Sequence, residues 1–285
     1  MSSRGSLDLP GPAVIAVDVD RAFAEDLGAG DATADLLPMQ ARAAAVLTCR
    51  DDAVLCGSAW FDACFRRLDA ATVLQWHAAD GDRVKQGTTI CELSGNARAL
   101  VSAERSALNF LQLLSATATV TAAYVQAVAG TGTRILDTRK TLPGLRVAQK
   151  YAVRCGGGCN HRMGLYDAIL IKENHIIAAG GIEAAVRSAR QAHPELPVEI
   201  EVETLDELAV ALHAGVDRIM LDNFSREEMV AAVVRTAGRT PLEVSGNVEL
   251  DSVAAFARTG VDFISVGALT KHVRAIDLSL RLRLT

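Results

Sequence analysis

Between residues 135 and 162 the chain carries six lysines and arginines against one acid, Asp137, although the 285-residue protein as a whole is net −5. Two cationic pairs in this stretch have neighbours suited to chemistry. Arg139 and Lys140 follow an apolar, strand-like run, and His161 and Arg162 close the glycine-rich segment Gly156-Gly157-Gly158. Four cations held within about 8 Å would cost roughly 2 kcal/mol per like-charged pair at an effective dielectric near 20. Several such pairs rival the roughly 5–15 kcal/mol that stabilises a whole domain. A small anion with more than one carboxylate or phosphate relieves the repulsion, and the planar guanidinium fork suits such groups. The stretch therefore reads as an anion site. Arg146, Lys150 and Arg154 belong to the same surplus, but they recur at helical spacing and read as a solvated face outside that site.

Further polar residues recur at the carboxyl ends of strand-like runs. Thr138, Arg139 and Lys140 follow the run 135–137, Lys172 ends 168–172, and Glu201 and Glu203 lie at the end of 198–202. Asp222 and Asn223 follow 218–221, Ser245-Gly246-Asn247 follows 242–244, and Gly267 follows 263–266. In α/β barrels this rim is where loops converge to build active sites. The acids Glu201 and Asp222 can hold a divalent metal or stabilise positive charge developing on a substrate. The short loops 245–247 and 267–268 can offer backbone N–H groups to a phosphate. Together these features suit a phosphorylated substrate with Mg²⁺. Each residue alone also has a plainer reading: Glu201 as the solvated side of an alternating strand, Asp222 as a helix cap, Lys172 as an ordinary strand-edge lysine. His175 reads as a residue that orders its own loop.

The elements that must position these residues follow from periodicity. From residue 134 onward, short apolar runs alternate with helical segments, which implies a parallel sheet with helices outside it. About 140 residues is short for an eight-fold barrel, which needs about 250, so the expected fold is α/β with an open barrel of six to seven strands. The first hundred residues combine a helical stretch at 12–27 with strand-like runs at 44–48, 54–56, 72–77 and 88–93, the pattern of a separate α+β domain. Residues 106–133 carry no charge and are long enough to cross a bilayer. Asn109, Gln112, Gln126 and repeated Ser and Thr argue instead for a long buried helix, whose small residues let another helix approach closely.

Half the residues are hydrophobic, ample for a core. The mild acidity argues against a nucleic-acid or membrane-surface partner. Six cysteines without a C-x-x-C pair read as buried thiols, and the apolar run near Val14 is cut by Asp18 and Asp20, so no signal peptide is read there. A cytoplasmic protein is expected.

The segments DTRKTLPGLR (137–146), GGGCNHR (156–162) and KENH (172–175) resemble the quinolinate phosphoribosyltransferase family. So do GDAT (30–33), AERSALNF (103–110), LDNF (221–224), LEVSGN (242–247) and VDFISVGALTKH (261–272). The resemblance implies transfer of phosphoribose from phosphoribosyl pyrophosphate to the nitrogen of quinolinate, with decarboxylation, in NAD biosynthesis, with Mg²⁺ as cofactor. It implies an N-terminal α/β sandwich domain over 1–113, with 274–285 packing back on it, and an open α/β barrel over 114–273. A homodimer is expected, in which the partner's Arg105 completes the site in trans. By matching motif, Arg139, His161, Arg162 and Lys172, with Arg105, hold the two carboxylates, and Lys140 lies beside the pyrophosphate. Glu201 and Asp222 face the ribose and its metal, held through substrate or water. Thr138, Ser245, Gly246, Asn247, Val266, Gly267 and Ala268 complete the substrate-binding set, with Glu201, Asp222, Lys140 and Lys172 as the catalytic residues. The rival readings are a paralogue acting on another aromatic acid, a non-catalytic phosphosugar-binding protein, and an aldolase forming a Schiff base on Lys172.

Overall fold

Residues 42–49 alternate strictly between buried side chains and half-buried or exposed ones, the period-two signature of a strand with one face on a core. The computed structural model to which this strand belongs describes residues 7–246 and 248–285. In chain order it contains α1 (Pro12–Asp26), β1 (Arg42–Cys49), β2 (Ala53–Val54), α2 (Ser58–Leu68), β3 (Val73–Trp76), β4 (Arg83–Val84), β5 (Thr89–Asn96) and α3 (Ala97–Ala127). There follow β6 (Arg134–Leu136), α4 (Arg146–Cys155), β7 (Ile169–Ile171), α5 (Glu173–Ala179), α6 (Ile182–Ala192), β8 (Val198–Val202) and α7 (Leu205–Ala214). The chain ends with β9 (Arg218–Asp222), α8 (Arg226–Thr236), β10 (Leu242–Ser245), α9 (Val253–Ala257), β11 (Phe263–Ser265), α10 (Ala268–Lys271) and β12 (Leu278–Leu284). Two compact units result: Met1–Ala122 with Thr141–Gly157 and His272–Thr285, and Ala123–Lys140 with Gly158–Lys271.

The first unit is built on an antiparallel sheet in the order β12-β1-β5-β3. Its core includes Leu47, Trp60, Phe61, Phe65, Ile90, Leu100, Leu111 and Leu114, each essentially inaccessible to solvent. Asp80 caps the start of α2 by accepting from the backbone N–H groups of Gly57 and Ser58, both at 3.1 Å, and takes the Tyr151 hydroxyl at 2.9 Å. The helix α3 is long and apolar, yet most of its hydrophobic stretch is buried in protein, as a core helix requires. It closes on α4 at Gly156, where an added Cβ would lie 2.4 Å from the Ala118 carbonyl oxygen. The small residues of α3 thus serve helix approach.

Residues 141–157 pack in this unit, a different division from the expected 1–113 and 114–273. The reason is that Ala148, Tyr151, Ala152 and Cys155 of α4 enter its hydrophobic core, and the Tyr151 ring stands 5.8 Å from that of Trp60. For the same reason Lys150, expected on a solvated face, is 1 % exposed.

The second unit is a six-stranded parallel sheet in the order β6-β11-β10-β9-β8-β7, an open α/β barrel whose edge strands are β6 and β7. The segment 159–168 runs across that opening. At one end Cys159 donates to Ile135 O at 2.8 Å and accepts from Asp137 N at 3.1 Å, adding a rung to β6. At the other end Ala168 leads directly into β7.

Candidate active site

Side chains two residues apart on a strand share a face. Glu199 and Glu201 on β8, Arg218 and Asp222 on β9, and Glu243 and Ser245 on β10 are therefore stacked on one face, with Glu199 level with Arg218 and Ser245 level with Asp222. The face carries two polar tiers, one at the carboxyl rim and one deeper along the strands.

At the rim, Lys172 forms an ion pair with Glu201. Burial and the charge of Glu201 push the Asp222 carboxyl above its ordinary value, so the two acids lie in each other's field. Glu201 is not a solvated strand residue, its side chain being 17 % exposed. Nor is Asp222 a helix cap: that task falls to Ser225, whose hydroxyl accepts from Glu228 N while Glu228 reaches back to Ser225 N. Asn223, in a left-handed conformation, donates its side-chain amide to Asp222 at 3.0 Å. Gly246 adopts φ +98°, and a Cβ there would stand 3.7 Å from Asp222 Oδ1, so the 245–246 backbone passes directly over this acid. Asn247 lies outside the described residues. His175 orders the loop as expected, its Nδ1 accepting from Lys172 N at 3.0 Å.

A second corner gathers Thr138, Lys140 and Gly267. A Cβ on Gly267 would meet Lys140 Cδ at 2.9 Å and Thr138 Oγ1 at 3.6 Å. Lys140 N donates to Thr138 Oγ1 at 3.1 Å, and Thr270 Oγ1 donates to Lys140 O at 2.9 Å. Val266 N bonds to Leu136 O at 2.9 Å, which sets the turn through Gly267 into Ala268 beside the end of β6.

The remaining cations are organised by Asp137. This fully buried acid accepts from the Asn160 side chain at 2.6 Å and from His161 N at 2.9 Å, holding the 159–161 backbone against β6. Arg162 donates to Ala168 O at 3.1 Å. Burial and the charge of Arg139 hold the Arg162 guanidinium below the ordinary value. The His161 ring turns inward to the deeper tier. Its Nε2 lies 2.8 Å from Glu199 Oε2 and 3.8 Å from Glu243 Oε2, and Arg218 reaches the same Glu243 oxygen at 3.0 Å. His161, Glu199 and Glu243 together offer the donors of a buried metal site.

Arg105 belongs to the first unit. It lines a cavity of about 600 Å³ with Asp31, Thr33 and Ser102. Asp31, from the GDAT segment, accepts from Thr33 N and Ala34 N at 2.9 Å and from the Ser102 hydroxyl at 2.8 Å, which ties the loop to α3 one turn before Arg105. All six cysteines are free thiols, and burial pushes Cys64 and Cys91 up to about 12.

Sequence reasoning missed Glu199, Arg218 and Glu243. The alternation in VEIEVE was visible, but the partner that joins Glu199 to Glu243 is a histidine from a distant loop.

The family model for the quinolinate phosphoribosyl transferase N-terminal domain matches residues 31–115, and that for the C-terminal domain matches residues 117–281. The chain is 41 % identical over 264 residues to a probable nicotinate-nucleotide pyrophosphorylase (carboxylating) of Bacillus subtilis, covering 92 % of this chain and 91 % of that one. It is 48 % identical over 218 residues to the nicotinate-nucleotide pyrophosphorylase (carboxylating) of Mycobacterium leprae, covering 75 % and 76 %. The solved nicotinate-nucleotide pyrophosphorylase of Francisella tularensis superposes with a TM-score of 0.95 at 47 % identity, over 98 % of this chain and 99 % of that one. With both domains matched and relatives of 41 % to 48 % identity over most of the chain, the chain belongs to the quinolinate phosphoribosyltransferase family.

Proposed function

We infer that this protein transfers the phosphoribosyl group of phosphoribosyl pyrophosphate to the ring nitrogen of quinolinate, yielding nicotinate mononucleotide, pyrophosphate and CO₂ for NAD synthesis. The observation that carries this reading is the presence on one open barrel of the guanidinium groups of Arg139, which follows β6, and Arg162, bonded to Ala168 O beside β7, together with the rim acids Glu201 and Asp222. A dicarboxylate needs the first set, and a reaction that develops positive charge on ribose needs the second.

Arg139, Arg162, His161 and Lys172, with the partner's Arg105 supplied in trans by a homodimer, hold the two carboxylates and aim the pyridine nitrogen at C1 of the ribose. Such positioning supplies a large part of barrier lowering in reactions between two bound substrates. As the nitrogen attacks and pyrophosphate departs, the ribose gains oxocarbenium character, which the carboxylates of Glu201 and Asp222 stabilise. Lys140, Thr138 and the loops at 245–247 and 266–268 receive the phosphates. Mg²⁺ suits the hard oxygen donors of Glu201 and Asp222, directly or through water and substrate oxygens, and when bound it supplies charge neutralisation for the departing pyrophosphate. The ribosylated nitrogen is cationic, so the carbanion left when the adjacent carboxylate departs as CO₂ is stabilised as an ylide, which takes up a proton from water to give nicotinate mononucleotide. Decarboxylation therefore follows transfer. The reaction is placed in the cytoplasm.

The test is to incubate purified protein with Mg²⁺, quinolinate and phosphoribosyl pyrophosphate and to assay nicotinate mononucleotide. Product is expected. Retained binding of both substrates without product would favour a sensor, and product from a different aromatic acid alone would favour a paralogue. Arg139→Ala is expected to weaken quinolinate binding far more than phosphoribosyl pyrophosphate binding, and equal losses would remove the carboxylate role from Arg139.

A further inference from the structure

Glu199 and Glu243 take no part in the chemistry above, yet Glu199 is 6 % exposed and Glu243 is fully buried. Burying a carboxylate is costly, and as a device for stability a buried ion pair is commonly no better than apolar packing. Arg218 on the adjacent strand already partners Glu243 at 3.0 Å. Glu199, by contrast, is engaged by His161, which reaches it from the segment across the open side of the barrel. That segment also carries Arg162, and its backbone is fixed by Asp137. The deeper tier therefore connects the sheet to the loop that brings cations to the site.

We propose that Glu199 is a positioning residue for the dicarboxylate substrate, acting through His161, with Glu243 and Arg218 supporting it. The proposal rests on the reading that His161 is one of the cations meeting quinolinate. A histidine buried beside Arg218 tends to be neutral and contributes little to an anion site. Glu199 reverses that tendency. The groups facing the ring are Glu199 from β8, Arg218 from β9 and Glu243 from β10, with Asp137 beyond β6 holding its backbone N–H. Burial alone would pull His161 down, and Arg218 opposes its charge. The hydrogen bond to Glu199 and the charges of Glu243 and Glu199 outweigh both and raise it above the ordinary value.

The experiment compares the wild-type protein with Glu199→Gln, which retains the shape and a hydrogen-bond acceptor for His161 but loses the charge. With Mg²⁺ and both substrates, the quinolinate KM is expected to rise about tenfold or more, the effect of removing a charged hydrogen-bond partner, while kcat and the phosphoribosyl pyrophosphate KM change less than about threefold. In parallel, ¹⁵N-histidine NMR of the protein without substrates, with the ring signal assigned by its loss in His161→Asn, is expected to show a lowered His161 pKa in Glu199→Gln. Should Glu199→Gln not fold, Glu243→Gln is expected to raise the quinolinate KM in the same direction by a smaller factor. An unchanged quinolinate KM in the folded variants, or equal losses in every kinetic constant, would overturn the proposal and leave a purely structural network. Absence of product from the wild-type protein would instead defeat the underlying functional reading, which the NMR arm does not depend on.

Discussion

Gly267 packs against Lys140 so closely that a Cβ at the glycine would lie 2.9 Å from Lys140 Cδ. The glycine is there to admit the lysine stem, since its backbone lies outside the left-handed region that demands glycine. Gly267→Ala is expected to displace Lys140 and reduce kcat/KM about tenfold, the usual scale for a misplaced catalytic group. The loss should vanish when Gly267→Ala is made in a Lys140→Ala background, because the two changes act through one contact. Additive losses in that double-mutant cycle would show that Gly267 matters for some other reason.

Gly156 has a structural duty. A Cβ there would fall 2.4 Å from the Ala118 carbonyl oxygen and 2.6 Å from Thr121 Cβ, and neither the backbone of α3 nor a fully buried threonine can yield easily. Gly156→Ala is expected to cost about 1–3 kcal/mol, as overpacking does, read from a denaturant midpoint. A stability equal to wild type would mean that the helices separate at no cost.

These two glycines illustrate what the sequence makes legible. The rim residues could be read because each follows a short apolar run, and a parallel sheet directs every such end to the same side. Gly156 stands in the glycine-rich segment that leads to His161 and Arg162, yet it serves packing, which the sequence does not show because contact between α3 and α4 joins residues more than thirty apart. Lys150 misled for the same reason: its spacing is that of a solvated face, while the core it enters is formed by α2 and α3. The edge strand β12 was expected only to pack back on the first domain, although LSLRLRL alternates clearly. The deeper tier was hidden, since Glu199 and Glu243 acquire meaning only when His161 reaches them across the barrel.

The buried tier also gives stability a pH dependence of definite sign. His161 is raised above its ordinary 6.5, and burial with the neighbouring Glu199 charge pushes Glu243 from 4.5 to about 7. Both groups hold protons in the folded protein that the unfolded chain releases. Their contribution is fully present below the unfolded values and is lost as pH rises through the folded ones. Asp31, Asp52, Asp69 and Glu228 are held below their ordinary values, so their contribution disappears only under more acidic conditions. The Tm is expected to fall as pH rises from about 5 to about 8, and to fall less in Glu243→Gln. Equal slopes in the two proteins would place the pH dependence elsewhere.

The order of the two chemical steps is open to one direct measurement, with quinolinate labelled in its 2-carboxyl carbon. In the presence of Mg²⁺ and phosphoribosyl pyrophosphate, labelled CO₂ is expected in equal amount to nicotinate mononucleotide. Without phosphoribosyl pyrophosphate none is expected, because the ring nitrogen is then not cationic and no ylide can form. Steady release of label from quinolinate alone, or nicotinate mononucleotide formed without matching CO₂, would contradict transfer followed by decarboxylation.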